Sequence, residues 1–574
     1  MSSTVATESA IARPDITKSD VTGPGGSGGA PARRPTGEER TFAEQHESSP
    51  LKTLLFSGLL LLPFWMIPIA HLLSSPDTAT GLFQYELPYY VANGRAAFER
   101  GDGIFYPNPY DPSPNAPVIY AHWLPWVLGW LTAKCSADPG DTILAVTFFA
   151  SLMFAVATRT LVRQRLGTGQ GTGPSKGTER VAWMTAMWGG GLLSFAGLLL
   201  PTPTGTAGIE TLLRFDPGNG LWFLNWGRNA LFPTEAVYHT LVAVCWVFEL
   251  RERRGISTAC LLFLATTHPW SGIELLLTIM FWRTVQLLRR RNRSSAAWWL
   301  LCGSLMAGFL AYYKIWLPSF PEHAELQSVW ELDWSLSWTT AIPAYGPISV
   351  AALLYVTGRM KSGSCSGSDQ FLLCAFVVAA GLAFHDRLIA PVQPLHFTRG
   401  YVWMPLFLLA LPKLTEWWQR AWSRSLSARV LAVTLVAMLC SDNAAFSIVH
   451  TIRQYSGKDG FYLTADDRAL LHDLPEKCPG AVVLTESETL NYLAPAYGGV
   501  RPWLGHHFNT PQFPVRRERF EAGFPGSRVS VSQIPPEVDV LLIRRDRDAS
   551  ALADSGRWID IDLHNAGWSA WLRL

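Results

Sequence analysis

Charge is scarce in this sequence. Asp, Glu, Lys and Arg make up 16% of its 574 residues, where a soluble domain carries about 25%. Beside 48% hydrophobic residues and 25 Trp, that shortage points to lipid as the solvent for much of the chain. The net charge of +2 gives no sign of a nucleic-acid partner. The eight cysteines include no CxxC pair, which disfavours a zinc or redox site. Most lie in or beside apolar runs, where Cys behaves as a small hydrophobe. Only Cys135 and Cys478 fall in segments placed outside the membrane, so theirs is the pairing open to a disulfide. Nucleotide binding has no motif either: neither a GxxxxGKS/T loop nor a convincing GxGxxG after a strand is present. A cleavable signal peptide is not expected, because the first apolar run is too long and no small-residue cleavage site closes it.

What the sequence does have is long apolar runs, near 51–74, 141–162, 181–200, 232–250, 256–270, 272–288, 296–315, 341–358, 369–385, 401–414 and 429–447. A span needs about 20 residues. The expected fold class is therefore an α-helical polytopic membrane protein with about eleven transmembrane helices. Residues 1–50, rich in Ser, Thr, Gly and Pro, read as a disordered cytoplasmic tail. Residues 51–447 form the transmembrane domain, with an outer loop at 75–140 that carries interfacial helices. Residues 448–574 read as a small extracytoplasmic α/β domain. In it Ala481–Leu484 and Val538–Ile543 have the apolar continuity of buried parallel strands.

The run 118–133 holds Trp123, Trp126 and Trp130, and Trp prefers the headgroup level. It is expected to lie on the membrane rather than cross it. Arg163, Arg165, Lys176 and Arg180 then fall inside, as do Arg251 to Arg254, Arg289 to Arg293, and Lys413 to Arg424. The segment 316–340, placed outside, has no Lys or Arg. The positive-inside rule gives a plasma-membrane protein with a cytoplasmic N-terminus and an extracytoplasmic C-terminal domain.

Four outer segments hold candidate chemistry. In the first, Glu86 stands just before an amphipathic helix that runs from Pro88 to Arg100, with Tyr90 on it. A carboxylate at the membrane face suits a general base or a divalent metal. It equally suits a helix N-terminus, where the dipole stabilises it. In the second, Arg228 lies with Asp216 and Glu235 in an aromatic stretch at 202–235, otherwise read as a Trp-anchored loop. In the third, His268 and Glu274 flank a tight turn, and an ionisable residue at membrane depth is a functional candidate. In the fourth, Arg387, His396 and Arg399 crowd a charge-poor side, and Arg suits bidentate phosphate binding. Ordinary pairing with anionic membrane lipids or with Asp386 is the alternative.

This layout resembles the GT-C superfamily of membrane glycosyltransferases, which use polyprenyl-phosphate-linked sugars. The resemblance rests on a first helix followed by a large outer loop, an acidic residue early in it (Glu86), and the stretch Asn115 to Pro125 before the second span. The superfamily more often has Asp at that position, and here no Asp-x-Asp pair accompanies Glu86. The resemblance implies inverting transfer, with Glu86 as general base toward the acceptor. Arg387, His396, Arg399 and Arg228 would hold the lipid phosphate, and Tyr90 and His268 would join the substrate-binding set. No cofactor is implied beyond a divalent metal ion. The competing classes are a transporter or lipid-handling protein without covalent chemistry, and a catalytically degenerate scaffold. Transporters often carry internal repeats, and none is evident between the two halves.

Overall fold

The computed structural model describes residues 49–167, 175–200, 208–290, 293–329, 334–563 and 565–574. The expected disordered tail thus lies almost wholly outside the described residues. Six helices are long and apolar enough to cross a membrane: Pro50–Ser74, Pro139–Gly167, Pro269–Arg290, Arg293–Ser319, Trp338–Lys361 and Leu426–Tyr455. The first shows how such a helix divides its surface. Leu61, Phe64 and Ile67 are buried in the protein, while Leu51, Leu55 and Leu59 on other faces stay exposed, as lipid contact requires. A bent pair, Lys176–Trp188 and Leu193–Leu199, would make a seventh span.

The expected count near eleven included runs that fold into shorter helices. The run 256–270 gives Arg254–Ala265, of 12 residues, which is about 18 Å long at 1.5 Å per residue. A hydrocarbon core is about 30 Å thick. The run 118–133, left out of that count, gives Trp123–Gly129 with a π-helical continuation to Lys134, too short to cross alone. The boundary expected at residue 448 falls inside the last long helix, which continues to Tyr455.

The bend in the 176–199 pair has a clear cause. Gly189, Gly190 and Gly191 end the first helix, and a Cβ on Gly191 would stand 2.2 Å from the Pro343 carbonyl oxygen. The freed N–H groups of Gly191, Leu193 and Ser194 all donate to the buried Asp442 carboxylate, at 2.8–3.0 Å. A side chain on a neighbouring helix thus satisfies the backbone where the helix breaks.

After Tyr455 the chain builds a five-stranded sheet of order β2-β1-β3-β5-β4. β1 (Val482–Thr485) pairs parallel with β2 (Arg501–Pro502) and with β3 (Val540–Arg544). β5 (Trp568–Arg573) runs antiparallel to β3 and to β4 (Trp558–Ile561). The two runs expected as buried parallel strands are β1 and β3, and only Arg544 at the end of β3 escapes full burial. All eight cysteines are free; Cys135 is exposed and Cys478 buried.

The sheet region does not separate from the membrane helices as a compact unit of its own. It grips the loop at 75–140. Phe461 donates to the Leu82 carbonyl at 3.0 Å, and Arg95 reaches the Ala496 and Tyr497 carbonyls. On its other side the helix Leu87–Glu99 crosses Trp123–Gly129 glycine against glycine. A Cβ on Gly94 would lie 2.1 Å from the Pro125 carbonyl oxygen, and one on Gly129 would lie 1.9 Å from the Gly94 carbonyl oxygen. Backbone cannot yield as a side chain can. Gly94→Ala is expected to push these helices apart and lower the thermal midpoint of the detergent-solubilised protein by several degrees, by overpacking worth about 1–3 kcal/mol. An unchanged midpoint would show that the crossing is looser than this.

Candidate functional site

Glu86 is the N-cap residue of the helix Leu87–Glu99, whose Pro88 lacks one of the N–H groups a cap would satisfy. Its side chain makes no capping hydrogen bond. Its own N–H donates to Gln84 Oε1 at 2.8 Å. The carboxylate therefore projects past the helix end, 40% exposed, with Oε2 3.4 Å from His506 Nε2. Glu86 thus sits at the positive end of the helix dipole, as the helix-terminus reading expects, without capping the helix.

Aromatic rings surround this pair. Tyr89 and Tyr85 lie 5.0 and 5.3 Å from the His506 ring, and Tyr492 and Tyr110 lie 5.4 and 5.6 Å away. Burial pushes the Tyr89 phenol up to about 12. Burial also raises Tyr90, and the Glu86 charge adds to that while Arg399 opposes it. Tyr90 is thus within electrostatic reach of both Glu86 and Arg399, and Arg399 in turn feels Glu86.

Arg399 is held from several directions. It forms an ion pair with Glu235, and its Nη2 donates to His396 Nδ1 at 2.7 Å. Its carbonyl accepts from His239 Nε2 at 2.6 Å and Asn229 Nδ2 at 3.2 Å. Because a guanidinium only donates, His396 Nδ1 must accept, which leaves its proton on Nε2. Burial lowers His396 to about 3, so the ring is neutral. It stacks on Trp270 at 5.0 Å and lies 5.6 Å from Trp334. Trp334 lies 6.3 Å from Phe508, which lies 6.2 Å from His506. A continuous run of rings therefore joins the Glu86 end to the Arg399 end.

His268 belongs to the same neighbourhood. It stacks on Tyr238 at 4.5 Å, and its Nδ1 accepts from the Ser271 N–H at 3.2 Å. Burial, with His396, His122 and His239 nearby, drives it well below its usual range. Two turns of sequence away, Glu274 is buried and neither carboxylate oxygen has a partner among the described residues. It lines a cavity of about 10 Å³ with Ser271, Thr278 and Tyr401, room for about one water.

Two expected phosphate ligands stand apart. Arg228 is 0% exposed, and all three guanidinium nitrogens donate within the protein: to Asn443, to Asp216 and to the Asp442 carbonyl. Its geometry is that of a brace between the 202–235 segment and the last long helix, which replaces the expected contact with lipid phosphate. Arg387 sits on a short turn, paired with Asp386 and donating to the Leu336 carbonyl at 3.2 Å. Its partners are not those of Arg399.

The sequence missed His506 and the Tyr106–His122 pair, in which the phenol meets the ring nitrogen at 2.6 Å. Glu235 was visible as a charge; its partner was not. Among the described residues no three His, Cys, Asp or Glu side chains cluster at ligand reach, and His506 is the one such partner Glu86 has.

No protein-family model matches the sequence, and neither does any curated protein. Solved structures do superpose on it. ArnT from Cupriavidus metallidurans, bound to undecaprenyl phosphate, gives a TM-score of 0.46 at 11% identity over 92% of this chain and 99% of that one. The oligosaccharyltransferase of Archaeoglobus fulgidus gives 0.40 at 11% identity over 85% of this chain and 70% of that one. The mycobacterial arabinofuranosyltransferase AftD gives 0.42 at 12% identity over 90% of this chain and 40% of that one.

Proposed function

We propose that this chain is a membrane glycosyltransferase that moves a sugar from a polyprenyl-phosphate carrier to an acceptor hydroxyl on the extracytoplasmic face, with inversion. The observation that carries this reading is the convergence of Glu86 and Arg399 on one aromatic site. Glu86 is free of helix capping and 40% exposed, while Arg399 is buried and its bond to His396 partly so.

The chemistry follows from the groups present. Glu86 takes the proton of the acceptor hydroxyl as its oxygen bonds to the anomeric carbon. The bond from that carbon to the carrier phosphate breaks, and its electron pair leaves with the phosphate. Charge grows on the phosphate oxygens, and fixed donors there lower the barrier. Arg399 and the Nε2 proton of His396 supply such donors. Arg399 enters already paired with Glu235, so it offers directed N–H groups more than bare charge. The rings of Tyr89, Tyr90, Trp334 and Phe508 give the apolar face of a sugar flat surfaces to stack on.

The test is a donor panel. Purified protein would be mixed with polyprenyl-phosphate pentoses and hexoses, and released polyprenyl phosphate measured. One donor is expected to turn over. Arg399→Ala is expected to slow that release by about 100-fold or more, on the scale of losing one oxyanion donor. Absence of release from every donor by folded protein would favour the transport or scaffold classes instead. A donor that turns over equally well with Arg399→Ala would remove Arg399 from the phosphate site.

A further inference from the structure

His506 lies in the sheet region, far along the chain from Glu86, yet it is the titratable side chain that faces Glu86. Its ring is 2% exposed on the side chain, with Nε2 3.4 Å from Glu86 Oε2. The protonation of that ring is fixed by its other edge. The Phe508 backbone N–H, which can only donate, points at Nδ1 from 3.1 Å, and Asn509 Nδ2 lies 2.8 Å from the same atom. Nδ1 must therefore accept, so the neutral ring carries its proton on Nε2. That N–H has no hydrogen-bond partner among the described residues. A buried, unpaired donor is costly, and the group in front of it is a carboxylate whose side chain is free to turn.

The loop around His506 is built to hold the ring there. The Thr510 N–H donates to the His506 carbonyl at 2.9 Å, and the Thr510 hydroxyl accepts from the Gly505 N–H at 3.1 Å. Asn108 of the outer loop donates to the Asn509 carbonyl at 2.6 Å. The His507 N–H donates to the Tyr85 hydroxyl at 3.2 Å. A Cβ on Gly505 would stand 2.5 Å from Tyr110, so the loop lies directly on the outer-loop rings.

We propose that His506 is a positioning residue for Glu86: its Nε2 proton is donated to the Glu86 carboxylate and aims the free oxygen at the acceptor hydroxyl. The sheet region thereby completes the site rather than decorating it. The 3.4 Å separation is longer than a formed N–H···O bond of about 2.7–3.2 Å, and such contacts tighten when substrate arrives. This inference rests on the glycosyltransferase reading, with Glu86 as base.

The two edges of the ring can be tested apart. Asn in place of His reproduces the Nδ1 edge and keeps an acceptor for the Phe508 N–H, but does not extend to Nε2. Gln reaches the Nε2 position with an amide N–H. In the donor assay, His506→Asn is expected to lower kcat by about 10-fold or more, the scale of a hydrogen bond to a charged group, with KM within about twofold. His506→Gln is expected to recover most of that loss. Combined with Glu86→Gln, His506→Asn is expected to add nothing further, because the two act as a unit. Wild-type kcat in His506→Asn, an equal loss in the Asn and Gln variants, or an additive loss in the double variant would each overturn the proposal. If Glu86→Gln itself kept full activity, the base assignment would fail first, and this inference with it.

Discussion

Glu86→Gln slows transfer severely, to a measurable residual rate, and leaves the protein folded: that is the expected result. A positioned general base contributes about 100- to 10,000-fold, and the amide cannot accept the acceptor's proton. The structural cost is expected to be small for specific reasons. Glu86 makes no capping hydrogen bond, so the helix Leu87–Glu99 does not depend on its charge. Its backbone N–H bond to Gln84 survives the change. Its side chain is partly exposed, so no buried charge is orphaned. The measurement is turnover of the donor found active, alongside the thermal midpoint and elution volume of the variant. A loss of less than about 10-fold, with folding intact, would place the base elsewhere. The aromatic site would then be a binding surface, as the transporter and scaffold classes require.

Arg283→Met is expected to damage stability as severely as Glu86→Gln damages turnover. Arg283 is buried and meets Glu249 at 2.9 and 3.2 Å. The same guanidinium reaches Thr258, the Trp298 carbonyl at 3.2 Å and Cys302 Sγ at 2.9 Å. One side chain thus ties together Pro233–Leu250, Arg254–Ala265, Pro269–Arg290 and Arg293–Leu310. Removing it leaves the buried Glu249 carboxylate, among the described residues, with only the Ser257 hydroxyl at 2.8 Å. Breaking one side of a buried ion pair costs about 3–5 kcal/mol, while replacing both partners with apolar residues of similar size is often neutral. The Arg283→Met and Glu249→Leu double variant is therefore expected to regain most of the midpoint that Arg283→Met loses. Thermal unfolding in one detergent, read by tryptophan fluorescence, decides it. Equal midpoints for wild type and the single variant would mean that the pair contributes nothing.

Local pattern made some of this molecule legible. β1 and β3 announce themselves because strands buried on both faces need unbroken apolar runs. Glu86 stands out because it comes just before Pro88, where an amphipathic helix opens in the loop after the first span. The number of crossings was less legible. Hydropathy does not tell a membrane span from a short helix such as Arg254–Ala265 that is half buried among its neighbours. Arg228 and Arg399 look alike in sequence, each an Arg in an outer aromatic segment. What distinguishes them is a partner: Asp216, Asn443 and a backbone carbonyl consume the first, while the second shares an ion pair with Glu235 and a hydrogen bond with His396. His506 carries no local signal at all. Its significance comes from Phe508 and Asn509 on one edge and a carboxylate from the other end of the chain on the other.

That last contact sets a clock on the molecule's own manufacture. Tyr85, next to Glu86, meets His507 across 422 residues of chain. At a synthesis rate of about 5–20 residues per second, roughly 20–80 s separate the making of the two sides. Through that interval the outer loop is present without its lid of rings, and its aromatic face has to be kept from other hydrophobic surfaces. An unfinished chain would already hold its long apolar helices while Glu86 still lacked the His506 ring that faces it.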